Sequence, residues 1–306
     1  MRSRTAIATL CFWAFSPVIA AAQGSPETPA SPAQQPIRYR ISFDNAVHHE
    51  ARVDVTFPEL RADTLAVVMS RSSPGRYAVH DFAKNVYDVS AVDGRGRMLQ
   101  AARATPHEWR IAGHDGTVTF RYTLFADRAD GTYSGIDATH AHLNMPATFA
   151  FGRGLADRPI TVTFHPPAGA GWQVATQLVP TDDPTTFTAP DLQYFLDSPT
   201  EISDFELREW QVESRGEAYT IRLALHHDGT AAEADEYADR VARVVDEETA
   251  IFGELPDFDQ GTYTFLADYL PHVFGDGMEH RNSTTLTSQR PLSTGALANL
   301  GTVAHE

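Results

Sequence analysis

From Ile37 onward, apolar side chains recur at every second position. Tyr39, Ile41 and Phe43 alternate with polar residues, as do Val53, Val55 and Phe57, then Val118, Phe120, Tyr122 and Leu124, then Ile160, Val162 and Phe164. A two-residue period belongs to half-buried strands, and Asp93-Gly94, Asp115-Gly116 and Asp130-Gly131 supply turns between such runs. No long helical pattern appears before residue 230. The pattern predicts an antiparallel, sandwich-like β domain over residues 37–214.

After residue 214 the pattern changes. Tyr219, Ile221, Leu223 and Leu225 make one more alternating strand. Thr230, with Glu233 three residues on, reads as a capping box. It opens a helix with Tyr237, Val241, Val244, Val245, Ile251 and Phe252 on one side, closed by Gly253 and Pro256. Residues 262–266 read as strand. A Gly-rich turn at 275–278, a short polar strand carrying Glu279, a break at Pro291 and a last helix delivering His305 and Glu306 complete the pattern.

Composition narrows the partners. A chain of 306 residues, 42% hydrophobic, can bury a large core. Its net charge of −16 argues against nucleic acid or an anionic membrane as partner. Residues 1–22 read as a signal peptide: Arg2 and Arg4, an apolar run from Ala6 to Ile19 interrupted by Ser16 and Pro17, then Ala20-Ala21-Ala22 as cleavage site. Export to the periplasm or exterior is therefore expected, with no stable membrane span once the leader is removed. Cys11, the sole cysteine, lies in that leader, so the exported chain would carry no disulfide and no thiol chemistry. Residues 23–36, rich in Pro, Ala, Ser and Gln, read as a disordered linker.

His305-Glu306 is the opening half of the zinc-peptidase signature His-Glu-x-x-His, in which two imidazoles one turn apart hold the metal and the Glu activates water. The pair carries little weight alone. It gains weight from Glu279 upstream and from five longer segments at 70–89, 137–152, 192–202, 261–269 and 275–286. SRSSPGRYAVHDFAKNVYDV, DATHAHLNMPATFAFG, LQYFLDSPTEI, GTYTFLADY and GDGMEHRNSTTL occur in that order. Together they resemble successive landmarks of the glycyl aminopeptidase family of zinc peptidases. The Ser-Pro-Gly-x-Tyr and Gly-x-Glu-His-x-Asn-Ser segments are the specific ones. Two departures stand out: Asp276 and Met278 where the family often has glycine and leucine, and a chain that stops inside the His-Glu-x-x-His motif.

The resemblance implies a β-rich N-terminal domain (37–214) followed by an incomplete α+β, thermolysin-like (gluzincin) catalytic domain (215–306), with a PDZ-like domain often following. It implies zinc as cofactor, with His305 as its first ligand and Glu306 as the general base that takes the water proton. Glu279 would hold the ammonium of a peptide substrate with a free N-terminus. The backbone of Gly275, Gly277 and Met278 would pair with that peptide as an added strand, its glycines favouring a small first residue. A third zinc ligand on a following helix is expected beyond residue 306, and the chain as given is expected to be inactive.

Other histidines have plainer readings. His140-x-His142 on a strand could bind metal, but no third ligand stands nearby in sequence, which favours structural or interface roles. His280 reads as a hydrogen-bonded neighbour, and His48-His49 and His226-His227 read as surface. Two functions remain: the front portion of an exported zinc aminopeptidase releasing Gly or Ala, or a non-catalytic secreted β-rich binding module with a vestigial peptidase lobe.

Overall fold

The alternating runs of the first half become one long sheet and two short ones. The computed structural model describes residues 34–306; the expected leader and all but the end of the expected linker lie outside the described residues. The long sheet has eight strands in the order Val179–Pro180, Thr186–Ala189, Ile160–His165, Ile37–Asn45, Glu50–Phe57, Val118–Phe125, Val86–Asp93, Met98–Leu99. Tyr39, Val55, Phe120, Tyr122 and Phe164 all bury their side chains on its inner face. A four-stranded sheet (Phe151–Gly152, Thr64–Val68, Glu108–Ala112, Ala101–Thr105) adds Val67, Trp109 and Ile111 to the same core. At its centre Tyr39 stacks edge-on against Phe149, centroids 5.3 Å apart. The structure is thus β-rich as expected, with one correction: Ile37–Asn45 and Ile160–His165 run parallel. Such a pair needs a crossover longer than a hairpin turn, and the whole intervening chain provides it.

A second four-stranded sheet, Gln173–Thr176, Thr200–Ser203, His140–Leu143 and Gly135–Ile136, positions chemistry. Its alternation sends Ala141, Leu143 and Ile202 into the core. The intervening His140, His142, Glu201 and Ser203 therefore take the opposite face, and all four are buried.

The remaining sheet has five strands in the order Glu206–Ser214, Glu217–His227, Thr262–Tyr269, Ser283–Thr287, Asp276–Glu279. Glu206–Ser214 pairs with Glu217–His227 along its whole length. A division of the chain at Ser214 would separate these partners, and the change of sheet falls instead between Ser203 and Glu206. Helix Ala231–Phe252 makes the parallel crossover to Thr262–Tyr269. Its capping box closes as expected: Thr230 Oγ1 accepts from the Glu233 N–H, and the Glu233 carboxylate accepts from the Thr230 N–H at 2.8 Å. Tyr237, Val241 and Val245 bury against Ile221, Leu223 and Phe265. Ile251 and Phe252, expected on that face, are 76% and 78% exposed, in the last turn before Gly253 ends the helix at φ 86°. Among the described residues no helix is long and apolar enough to cross a membrane.

Candidate functional site

Two loops of the first half cradle the edge strand Asp276–Glu279. In the first, Ser73-Pro74-Gly75-Arg76 forms a turn in which the Arg76 N–H donates to the Ser73 carbonyl at 3.2 Å and Gly75 sits at φ 68°. A positive φ at that third position suits a type II turn. A Cβ on Gly75 would strike the Met278 side chain. The turn presents Arg76, which pairs with Asp276 and donates to the Gly277 carbonyl at 3.3 Å. In the second loop the Gly131 N–H donates to the same Asp276 carboxylate at 3.1 Å. A Cβ there would lie 2.9 Å from Met278 Cβ and 3.0 Å from Asp276 Oδ2. Two glycines on separate loops thus permit one close approach.

Glu279 lies at the end of this edge strand, exposed, with Thr284 as its register partner. Gly275 precedes the strand, whereas Gly277 and Met278, expected in a turn, are part of it. Both backbone groups of Gly277 are engaged within the molecule, the carbonyl by Arg76 and the N–H by Asp276 Oδ1 at 3.1 Å. His280 is indeed a hydrogen-bonded neighbour, its Nδ1 2.8 Å from Asp197 Oδ1.

The last helix spans Leu292–Val303, so His305 and Glu306 sit just past its end, in a turn closed by their N–H groups donating to the Thr302 carbonyl. Glu306 comes to rest over Gly277, where a Cβ would collide with its carboxylate and come within 2.8 Å of the Thr302 methyl. Burial, and then the facing Glu279 carboxyl, push the Glu306 carboxyl above its usual range. Strand, glycine and helix end thus bring two glutamates together from 27 residues apart in sequence. His305 is exposed beside them. None of the three-donor groups among the described residues includes His305. It suits one zinc ligand, and the described residues do not supply the rest of the set.

A second constellation, of which spacing singled out only His140 and His142, fills the face between the His140 strand and the five-stranded sheet. His140, His142, His226, Glu201 and Asp268 are all buried together. Asp268 Oδ2 lies 3.2 Å from His140 Nε2 and 3.6 Å from His142 Nδ1, while Asp268 Oδ1 lies 2.9 Å from His226 Nδ1. Glu201 Oε2 is 3.7 Å from His142 Nδ1. Burial alone would raise Asp268, but the three imidazoles outweigh it and hold the carboxyl well below the usual range. The same carboxylates lift His140, His142 and His226 against the pull of burial. His226 is therefore no surface residue, correcting the expectation. One sequence signal could have exposed the cluster: Asp268 is a bare carboxylate in the buried stretch Phe265–Tyr269, and such charges need partners.

A β-rich first half thus grips an edge strand beside a His-Glu turn. The family model described as the Peptidase M61 N-terminal domain matches residues 38–204, and the chain belongs to that family. An aminopeptidase N family protein from Idiomarina loihiensis shares the fold at a TM-score of 0.70 and 24% identity, over 83% of this chain and 42% of its own. Legionella pneumophila aminopeptidase A, solved with aspartic acid, matches at 0.51 and 12% identity, over 89% of this chain and 33% of its own. The chain thus spans less than half of either protein. No curated protein matches it.

Proposed function

We propose that this chain is the front portion of an exported zinc aminopeptidase that releases small residues, Gly or Ala, from peptide N-termini. Its first domain would end near residue 204, where the family match ends and the sheet changes. The strands and helices from Glu206 onward would be the opening part of a thermolysin-like catalytic domain. The observation that carries this reading is the meeting of Glu279 and Glu306 over Gly277.

Each residue has a task in this reading. His305 supplies one ligand of a zinc ion, which when bound lowers the pKa of a water ligand to about 7. Glu306, whose carboxyl is already biased toward holding a proton, accepts the water proton and returns it to the leaving amine. Glu279, exposed at the strand end, receives the substrate ammonium. That contact fixes the cut one residue from the end. The proximity of the carboxyls suits both roles, since an ammonium placed between them relieves their repulsion. Gly275, Gly277 and Met278 form the floor under the first substrate residue, and the two glycines let the peptide lie close enough to leave room only for a small side chain. Backbone pairing with the peptide requires Arg76 or Asp276 to release Gly277. Export rests on residues 1–22.

The test is hydrolysis by the full-length protein, including whatever follows Glu306. Glycyl and alanyl anilides should be cleaved and their N-acetylated forms should not. Equal cleavage of blocked peptides would make the protein an endopeptidase and remove the role given to Glu279.

A further inference from the structure

We propose that His142, Glu201 and Asp268 form a binding site for a divalent transition cation, zinc being the probe of choice, that fastens the first half of the molecule to the five-stranded sheet. The face involved is not the one that carries the helices. Along Thr262–Tyr269, Phe265, Ala267 and Tyr269 pack with helix Ala231–Phe252, while Leu266 packs with Ala175 and Phe205 on the other side. Alternation puts Asp268 on that second side.

The geometry supports a cation at this point. His142 Nε2 lies 3.0 Å from the Asp130 carbonyl, which can only accept, so that nitrogen carries a proton. Nδ1 of a neutral His142 is then a bare lone pair, aimed at Glu201 Oε2 at 3.7 Å and Asp268 Oδ2 at 3.6 Å. With His142 neutral, as metal binding requires, three acceptor atoms converge within 4.8 Å of one another. Among the described residues, neither Glu201 oxygen nor Asp268 Oδ2 has a hydrogen-bond partner, although both residues are 1% exposed. Buried carboxylates without partners are costly. Zinc bonds of about 2.0–2.1 Å set tetrahedral ligand atoms about 3.3–3.4 Å apart, close to the spacing seen and longer than good hydrogen bonds.

The surroundings also suit a metal. His226 holds the other Asp268 oxygen at 2.9 Å, and the Asp130 carbonyl fixes the His142 tautomer; such outer partners orient metal ligands. His140, 3.2 Å from Asp268 Oδ2, flanks the site. The donors come from three strands: His142 from His140–Leu143, Glu201 from Thr200–Ser203, and Asp268 from Thr262–Tyr269. An ion held by them would join the two parts of the molecule. Nitrogen and oxygen donors favour zinc or its first-row neighbours over calcium.

The test loads the full chain with Zn²⁺, or with Co²⁺ as a spectroscopic stand-in, and dialyses it against metal-free buffer. One equivalent should remain, with a Kd below about 1 µM, and should remain equally in His305→Ala. Glu201→Gln and His142→Gln should each weaken retention at least tenfold. X-ray absorption at the zinc edge should show imidazole together with oxygen donors. A cooperatively folded chain that retains no zinc overturns the proposal, as does zinc lost in His305→Ala or kept unchanged in the Glu201→Gln, His142→Gln pair. Should those variants fail to fold, the edge spectrum of His305→Ala decides: imidazole with carboxylate supports the site, and any other environment overturns it.

Discussion

Arg76 and Asp276 are 200 residues apart in sequence and form an ion pair, with Asp276 also accepting from the Gly131 N–H at 3.1 Å. The contact ties two loops of the first half to the edge strand that carries Glu279. Both side chains are about a quarter exposed, so solvent screens part of the attraction. Arg76→Ala and Asp276→Asn should each cost about 1–2 kcal/mol in urea unfolding, and a double-mutant cycle should give about 1 kcal/mol of coupling. Strict additivity would mean the pair does not hold the strand.

The close approach at Gly277 gives a sharper expectation. Gly277→Ala places a methyl where the Glu306 carboxylate lies and within 2.8 Å of the Thr302 methyl. Glu306 must move away from Glu279. On the proposed function, turnover of glycyl anilides by the full-length protein should fall at least tenfold while the melting temperature shifts little, since the position lies on an edge strand rather than in a core. Activity within twofold of the unaltered enzyme would show that Glu306 need not occupy that place.

The capping box at Thr230 contributes to the helix that makes the crossover. Thr230→Ala removes the acceptor for the Glu233 N–H and should cost about 1 kcal/mol. Thermal melting of the unaltered and substituted chains measures it directly. No change would mean that packing of Tyr237 and Val241 alone sets the start of the helix.

Placement of the domain boundary can be tested by truncation. Residues 34–204 should melt cooperatively with a β-type circular dichroism spectrum. Residues 34–214 should be less soluble, because the appended strand Glu206–Ser214 loses the partner it pairs with throughout. Better behaviour of the longer piece would return the boundary to Ser214.

Much of this arrangement was legible in sequence because its causes are local. Period-two runs and the Thr230/Glu233 box each depend on neighbouring residues, and each formed as expected. The parallel pairing of Ile37–Asn45 with Ile160–His165 was not legible, since alternation alone does not say which strand comes alongside. Nor could alternation show that Glu206–Ser214, at the end of the expected first domain, pairs with the strand that follows it. His226 was read as surface from its polar neighbours, yet the partners that bury it, Glu201 and Asp268, lie 25 and 42 positions away. At the edge strand, the resemblance pointed to Glu279 and Glu306. That Gly75, Gly131 and Arg76 from the first half shape the floor beneath them emerged only in three dimensions.

The division of labour between the two glutamates is the centre of this reading, and one comparison tests it most directly. Full-length Glu306→Gln and Glu279→Gln are assayed on alanyl anilide and its N-acetyl form, with zinc content measured alongside. Glu306→Gln should retain zinc and lose roughly 10²–10⁴ in kcat, having lost its proton acceptor. Glu279→Gln should lose its grip on the free amino group, a charge-assisted contact worth about 2–5 kcal/mol where desolvated, so that its preference for the free over the acetylated substrate collapses. If Glu279→Gln keeps that preference intact, or Glu306→Gln turns over at the unaltered rate, the roles assigned here are wrong.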